Sequence, residues 1–200
     1  MSHYGLVMPK IFSEKERLDI ISSLQKSAMK EMARVGVRKT TVDELCRLSH
    51  LAKGSFYLFY ESKEELFLDC IKSFADSLEE MYLEMLQNLD ENHIVTSLTT
   101  VFVTIAKRFR DEGIFRFLDE ENLALIKRKV PEIRLKDLTD TLRSVFHTLF
   151  SYFSIENEDD IKSFEDGYLA VLHLFLIPDL EKPDETIRFL IRGLVLQMVE

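Results

Sequence analysis

Apolar residues recur every three or four positions almost throughout the chain, and strict alternation is weak. That period predicts helices rather than sheet. A first helix opens at Ser13, with Glu16 as its capping-box partner. It carries Leu18, Ile21, Leu24, Ala28, Met32 and Val35 on one stripe, up to a stop at Gly36. A short second helix opens at Thr41, with Glu44 in the same relation, and presents Val42, Leu45 and Leu48. A tight connection at 49–51 leads into a third helix from about Lys53 to Tyr60. Ser62 and Glu65 open a fourth. Its stripe of Leu66, Cys70, Phe74, Leu78, Met81, Met85 and Leu89 predicts a helix of roughly 40 Å at about 1.5 Å per residue.

The rest is coarser. Residues 92–112 read as a fifth helix with Leu98, Phe102, Ile105 and Phe109 on one side, broken by Gly113. One or two short helices fill 114–129. Pro131 marks the next boundary, because the residue before proline avoids helical geometry. A long helix over 132–153 carries Leu135, Leu138, Leu142, Phe146, Leu149 and Phe153. Residues 159–177 and 184–199 form a closing pair, joined by 178–183. The fold class is therefore all-α: three short helices, a long connecting helix and a helical bundle. The expected domains are residues 10–61 and 62–200.

Composition narrows the function. With 46% hydrophobic and 30% charged residues in 200, the chain can bury a core without staples. Cys46 and Cys70 lie far apart inside apolar helical patterns, so they read as small buried hydrophobes in a reducing compartment. The residues ahead of Met8 read as an upstream extension. No leader pattern or apolar run of spanning length is present, so a cytoplasmic protein without a membrane partner is expected. No Gly-rich phosphate loop, nucleophile elbow or His-Glu metal motif occurs. The five histidines are scattered. No catalysis, metal or cofactor is expected.

The net charge of −9 argues against a general nucleic-acid binder, but the average conceals a division. Residues 1–60 hold ten Lys/Arg against six Asp/Glu, a net +4. The remainder holds sixteen against twenty-nine, a net −13. The basic segment contains the second helix, the turn and the third helix, an arrangement that suits a helix-turn-helix.

The residues there are more specific than the geometry. Thr41-Val42-Asp43-Glu44-Leu45-Cys46, then Lys53-Gly54-Ser55-Phe56-Tyr57-Leu58-Phe59-Tyr60, then Ser62-Lys63-Glu64-Glu65-Leu66-Phe67, resembles the signature of the TetR family of transcriptional regulators. The resemblance covers about residues 12–70. It implies that the third helix enters the DNA major groove while the second braces on the backbone. The candidate DNA-contacting residues are Thr41, Lys53, Gly54, Ser55, Tyr57, Leu58, Phe59 and Lys63. Lysine and hydroxyl groups suit phosphates, glycine admits close approach, and Leu58 and Phe59 suit thymine methyls. Phe56 and Tyr60 are expected to turn inward. The chain departs from the family at His50, where the turn takes glycine, at Ala52, where a serine precedes Lys-Gly, and in the inverted pair Phe59-Tyr60.

The resemblance also implies a ligand pocket in the body and a homodimer built on the last two helices. Twelve of the fifteen phenylalanines follow residue 60, so an aromatic cavity for a small lipophilic effector is expected. Its candidate lining is Met81, Met85, Phe102, Phe109, Phe115, Phe117, Phe146 and Phe150. The dimer candidates are Phe164, Tyr168, Leu172, Phe175, Ile187, Ile191, Leu194 and Met198. The reading is a ligand-responsive repressor that binds a palindromic DNA operator as a homodimer. The alternative, suggested by His50 and Ala52, is a helical ligand-binding or protein-interaction module with weakened DNA binding.

Overall fold

The computed structural model describes residues 12–114, 120–151, 158–177 and 181–199. Among these every regular element is helical: α1 (Glu14–Lys39), α2 (Val42–Leu48), α3 (Lys53–Phe56), α4 (Lys63–Gln87), α5 (Ile94–Asp111), α6 (Glu120–Lys129), α7 (Glu132–Ser151), α8 (Glu158–His173) and α9 (Pro183–Val199). Short 3-10 turns precede α5 and follow α8.

The local signals act where the sequence places them. Ser13 and Glu16 form a complete capping box. The Thr41 hydroxyl accepts from the Glu44 N–H, but the Glu44 carboxylate turns to Arg47 instead of closing the box. Ser62 caps α4 at Glu65. Gly36 takes φ +81° and kinks α1, which resumes for one more turn. The Thr40 hydroxyl then donates to the Gly36 carbonyl and closes the end. Gly113 stops α5 at φ +70°, with its backbone against Ala33. An added Cβ there would lie 2.7 Å from the Ala33 Cα.

Two expectations change. The third helix ends at Phe56 rather than Tyr60, because the N–H groups of Leu58 and Phe59 bond three residues back, to Ser55 and Phe56. Such bonds tighten the chain, as helix ends commonly do. On α4 the buried stripe continues from Leu78 through Tyr82 and Leu86, leaving Met81 and Met85 half-buried. Steps of four residues drift around a 3.6-residue helix, so the stripe follows the neighbours that α4 meets.

One hydrophobic cluster runs from Leu24 in α1 to Val195 in α9. Helix α4 ties the two ends together, packing on α1 at one end and on α5 and α7 along its length. Helix α9 packs on α5 and α8. At the centre of the body, Phe102 meets Phe164 and Tyr168 edge to face at 5.3 and 5.2 Å, and Phe150 meets Phe164 at 5.2 Å. Such pairs add stability beyond area burial. The Tyr168 hydroxyl donates to the Phe102 carbonyl at 2.7 Å, so its burial leaves no polar group unpaired. Both cysteines are free and buried. Among the described residues no helix is long and apolar enough to cross a membrane.

Candidate nucleic-acid interface

Helices α2 and α3 flank a turn held from beneath. The Ser49 hydroxyl lies 3.2 Å from the Ser23 carbonyl and 2.9 Å from the Ser27 hydroxyl, which pins the turn to α1. His50 sits at φ +51°, the left-handed conformation that the glycine of the family pattern would adopt without strain. The chain therefore makes the turn with a histidine. Ala52 gives α3 no side-chain cap, as the missing serine implies.

The two faces of the α3 segment differ. Phe56 is fully buried and Tyr60 nearly so. Burial raises the pKa of the Tyr60 phenol. On the other side Tyr57 and Leu58 are 53% and 47% exposed. Gly54 lies between them and Lys53 in sequence. A Cβ built there meets nothing within 4 Å, and its φ is not in the left-handed region. The fold therefore does not require glycine at 54. Ser55 is half-buried and Thr41 is exposed.

Lys53 reaches Asp43 of α2 at 2.9 Å, and that bond raises its pKa. Arg47 holds Glu44 through two bonds of 2.9 and 2.6 Å, and keeps that carboxyl below the ordinary carboxylate range. Arg34 grips the buried Glu31 in the same way. Exposed pairs of this kind are individually weak, typically about 0–1 kcal/mol, so a phosphate can compete for the Lys53 ammonium.

Two of the DNA candidates have other contacts. Phe59 packs on Phe12 at 5.5 Å and lies 5.0 Å beneath the Arg17 guanidinium. The Lys63 ammonium turns inward and donates to the carbonyls of Val37, Arg38 and Thr40 at 2.8, 3.3 and 2.5 Å. Burial lowers its pKa. Lys63 thereby closes the carbonyl end of α1, where a cation also suits the helix dipole.

The other candidates also separate. Phe102, Phe109 and Phe150 are packed in the core. Phe115, Phe117 and the side chain of Phe146 lie outside the described residues. A surface cleft of about 580 Å³ opens elsewhere, between α1, α4 and α5, lined among others by Lys26, Met29, Lys30, Phe74 and Arg108. Of the dimer candidates, Phe164, Tyr168, Leu172, Ile187 and Ile191 are buried within the protomer, while Phe175, Leu194 and Met198 are half-buried. The outward apolar residues of α8 and α9 are Leu169, Phe189, Leu196 and Val199, with Phe189 77% exposed. Their spacing of three and seven along α9 was a signal available in the sequence. The pairing of the head's cations with acids was not.

The model of the bacterial regulatory proteins of the tetR family matches residues 24–70. No curated protein matches the chain. Among solved structures, a TetR-family transcriptional regulator from Mesorhizobium loti MAFF303099 superposes with TM-score 0.69 at 10% identity, over 93% of this chain and 98% of that one. A tetR-family transcriptional regulator from Streptomyces coelicolor superposes with TM-score 0.67 at 15% identity, over 94% and 90%. The multidrug binding protein EbrR, complexed with imidazole, does so with TM-score 0.60 at 12% identity, over 97% of each chain. The family match lies over the head, at residues 24–70, and along its length the chain has the fold of these regulators.

Proposed function

We propose that the chain is a ligand-responsive transcriptional repressor that binds a palindromic operator as a homodimer. The observation that carries the reading is the outward side of the α3 segment. Lys53, Tyr57 and Leu58 are exposed beside a glycine whose missing side chain the protein's own packing does not need. An unfilled approach beside cationic, phenolic and apolar groups suits a DNA groove. Thr41, Lys53, Gly54, Ser55, Tyr57 and Leu58 form the contact set. Phe59 and Lys63 position it, one by anchoring the segment on α1 and the other by closing the end of α1. Residues 10–61 would be the reading head and 62–200 the sensing and dimerising body.

Two protomers would present their α3 segments about one DNA turn apart, the spacing of palindromic half-sites. The outward apolar residues of α8 and α9 offer the self-complementary surface that a two-fold dimer needs. A small lipophilic effector bound in the body, near the half-buried Met81 and Met85, would favour a head spacing that misfits the operator. Its leverage is its differential affinity for the two arrangements, typically about 1–3 kcal/mol. Multidrug binding in the structurally similar EbrR supports a small-molecule role. The test is a footprint on the DNA upstream of the chain's own gene, with in vitro transcription from that promoter. A protected two-fold site and reduced transcript are expected. An unprotected promoter would contradict the reading.

A further inference from the structure

The charge of the body is uneven. Of the sixteen Lys and Arg after residue 60, five fall within residues 127–136, with Glu132 the one acid among them. Lys127, Arg128 and Lys129 end α6, and Arg134 and Lys136 lie on the first turns of α7, across Pro131. Lys127, Arg128, Lys129 and Lys136 are exposed, and none enters an ion pair among the described residues. Lys127 and Lys136 line one cleft of about 710 Å³ with Ile133, which is 71% exposed.

This corner is fastened to the head at one end and to the first turns of α4 at the other. At the start of α6, Glu121 pairs with Arg38 at 2.7 Å, and the Asn122 side-chain oxygen accepts from the Arg38 N–H at 3.2 Å. At the start of α7, Arg134 pairs with Asp69, and Asp137 takes Lys72 at 2.7 Å. Arg134 is also within electrostatic reach of Tyr60, just beyond α3. Asp69 is six residues into α4, about 9 Å along its axis from the end that follows the α3 segment. The neighbouring acids Asp69 and Asp137 are occupied by Arg134 and Lys72, and Glu132, which lines the cleft beside Lys127 and Lys136, forms no ion pair with the other four cations among the described residues, so the corner keeps a net positive charge.

We propose that the α6–α7 corner is a second contact to the DNA backbone, engaging phosphates beside the half-site read by the α3 segment. The inference rests on the DNA-binding reading above. A lysine cluster supplies point charges that add affinity without sequence information. Fixed to the head, it also sets how close the acidic body can stand to the duplex.

The test is a salt titration of DNA affinity for the full chain and for K127Q/R128Q/K129Q/K136Q, beside the charge-keeping K127R/K129R/K136R. The glutamine variant should melt as the parent does, since the four side chains are exposed and unpaired. Its plot of log K against log salt should be shallower by about 2, roughly one phosphate per protomer of a dimer. Its affinity near 0.1 M salt should fall on the order of tenfold, with its preference for operator over mismatched DNA unchanged. The arginine variant should keep the parent slope. A parental slope in the glutamine variant would overturn the proposal. So would unchanged DNA binding with lost adsorption to phosphatidylglycerol vesicles, which would assign the corner to a membrane surface. If the parent chain binds no DNA at any salt, the underlying reading falls and this proposal falls with it.

Discussion

The outer side of the α3 segment and the aromatic centre of the body use the same kinds of side chain in opposite ways. Around Gly54, a phenol and a leucine are held out in solvent by a short helix whose other side is buried. Around Phe102, four rings pack on one another with the one hydroxyl satisfied by a carbonyl. Exposed apolar groups beside a cation point to a partner, whereas aromatic abundance in the body is largely the substance of its core.

The largest expected effect lies on the packed side of this comparison. Phe102→Ala should cost about 3–5 kcal/mol in a denaturant melt, as large-to-small changes do in a closed core. A loss below about 1 kcal/mol would mean that the rings border open space after all. Next is Lys63→Met, which keeps the stem and removes three charge-assisted bonds to the end of α1. A loss of about 1.5–3 kcal/mol in the same melt is expected. An unchanged melt with reduced DNA affinity would move Lys63 from positioning to phosphate contact.

Gly54→Ala inverts the pattern. Helical alanine beats glycine by roughly 0.5–1 kcal/mol, so the melt should hold or rise. DNA affinity should fall at least about tenfold, or roughly 1.4 kcal/mol, because the added methyl stands where the duplex approaches. Lys53→Ala should leave the denaturant melt unchanged, since its pair with Asp43 is exposed. It should also flatten the salt dependence of DNA binding.

The smallest effect is in pH. Lys107 first and then Arg110 hold the Asp184 carboxyl of α9 below its ordinary value and tie that helix to α5. The unfolded chain binds this proton more readily than the folded one. The contribution is therefore complete above the unfolded pKa near 3.9 and is lost as pH falls through the lower folded value. Asp184→Asn should make the acid melt less steep below about pH 4. At neutral pH it should cost only a fraction of a kcal/mol, because the pair is half-exposed.

Much of the head was legible because its signals are local. The Ser13–Glu16 box, the break at Gly36 (a kink rather than the expected stop, since α1 runs on to Lys39) and the inward turn of Phe56 and Tyr60 each depend on residues within one or two turns. The positive φ at His50 was legible from the pattern that His50 breaks. What stayed hidden depends on tertiary neighbours. Periodicity placed Ile187 and Ile191 on one stripe of α9 but could not say that α5 and α8 of the same protomer cover it. It could not say that Lys63 folds back on carbonyls twenty-three to twenty-six residues earlier. Nor could it foresee that the stripe of α4 leaves Met81 for Tyr82, since that choice is made by what packs against α4.

Selection of bound sequences from a random DNA pool by the full chain tests the central claim most directly. The claim predicts enrichment of a two-fold palindrome with half-site centres about 10–10.5 base pairs apart or a multiple of that. It also predicts loss of that enrichment in Gly54→Ala at undiminished melting temperature. A pool that stays random under the parent chain, or the same palindrome recovered with Gly54→Ala at parental affinity, would contradict it.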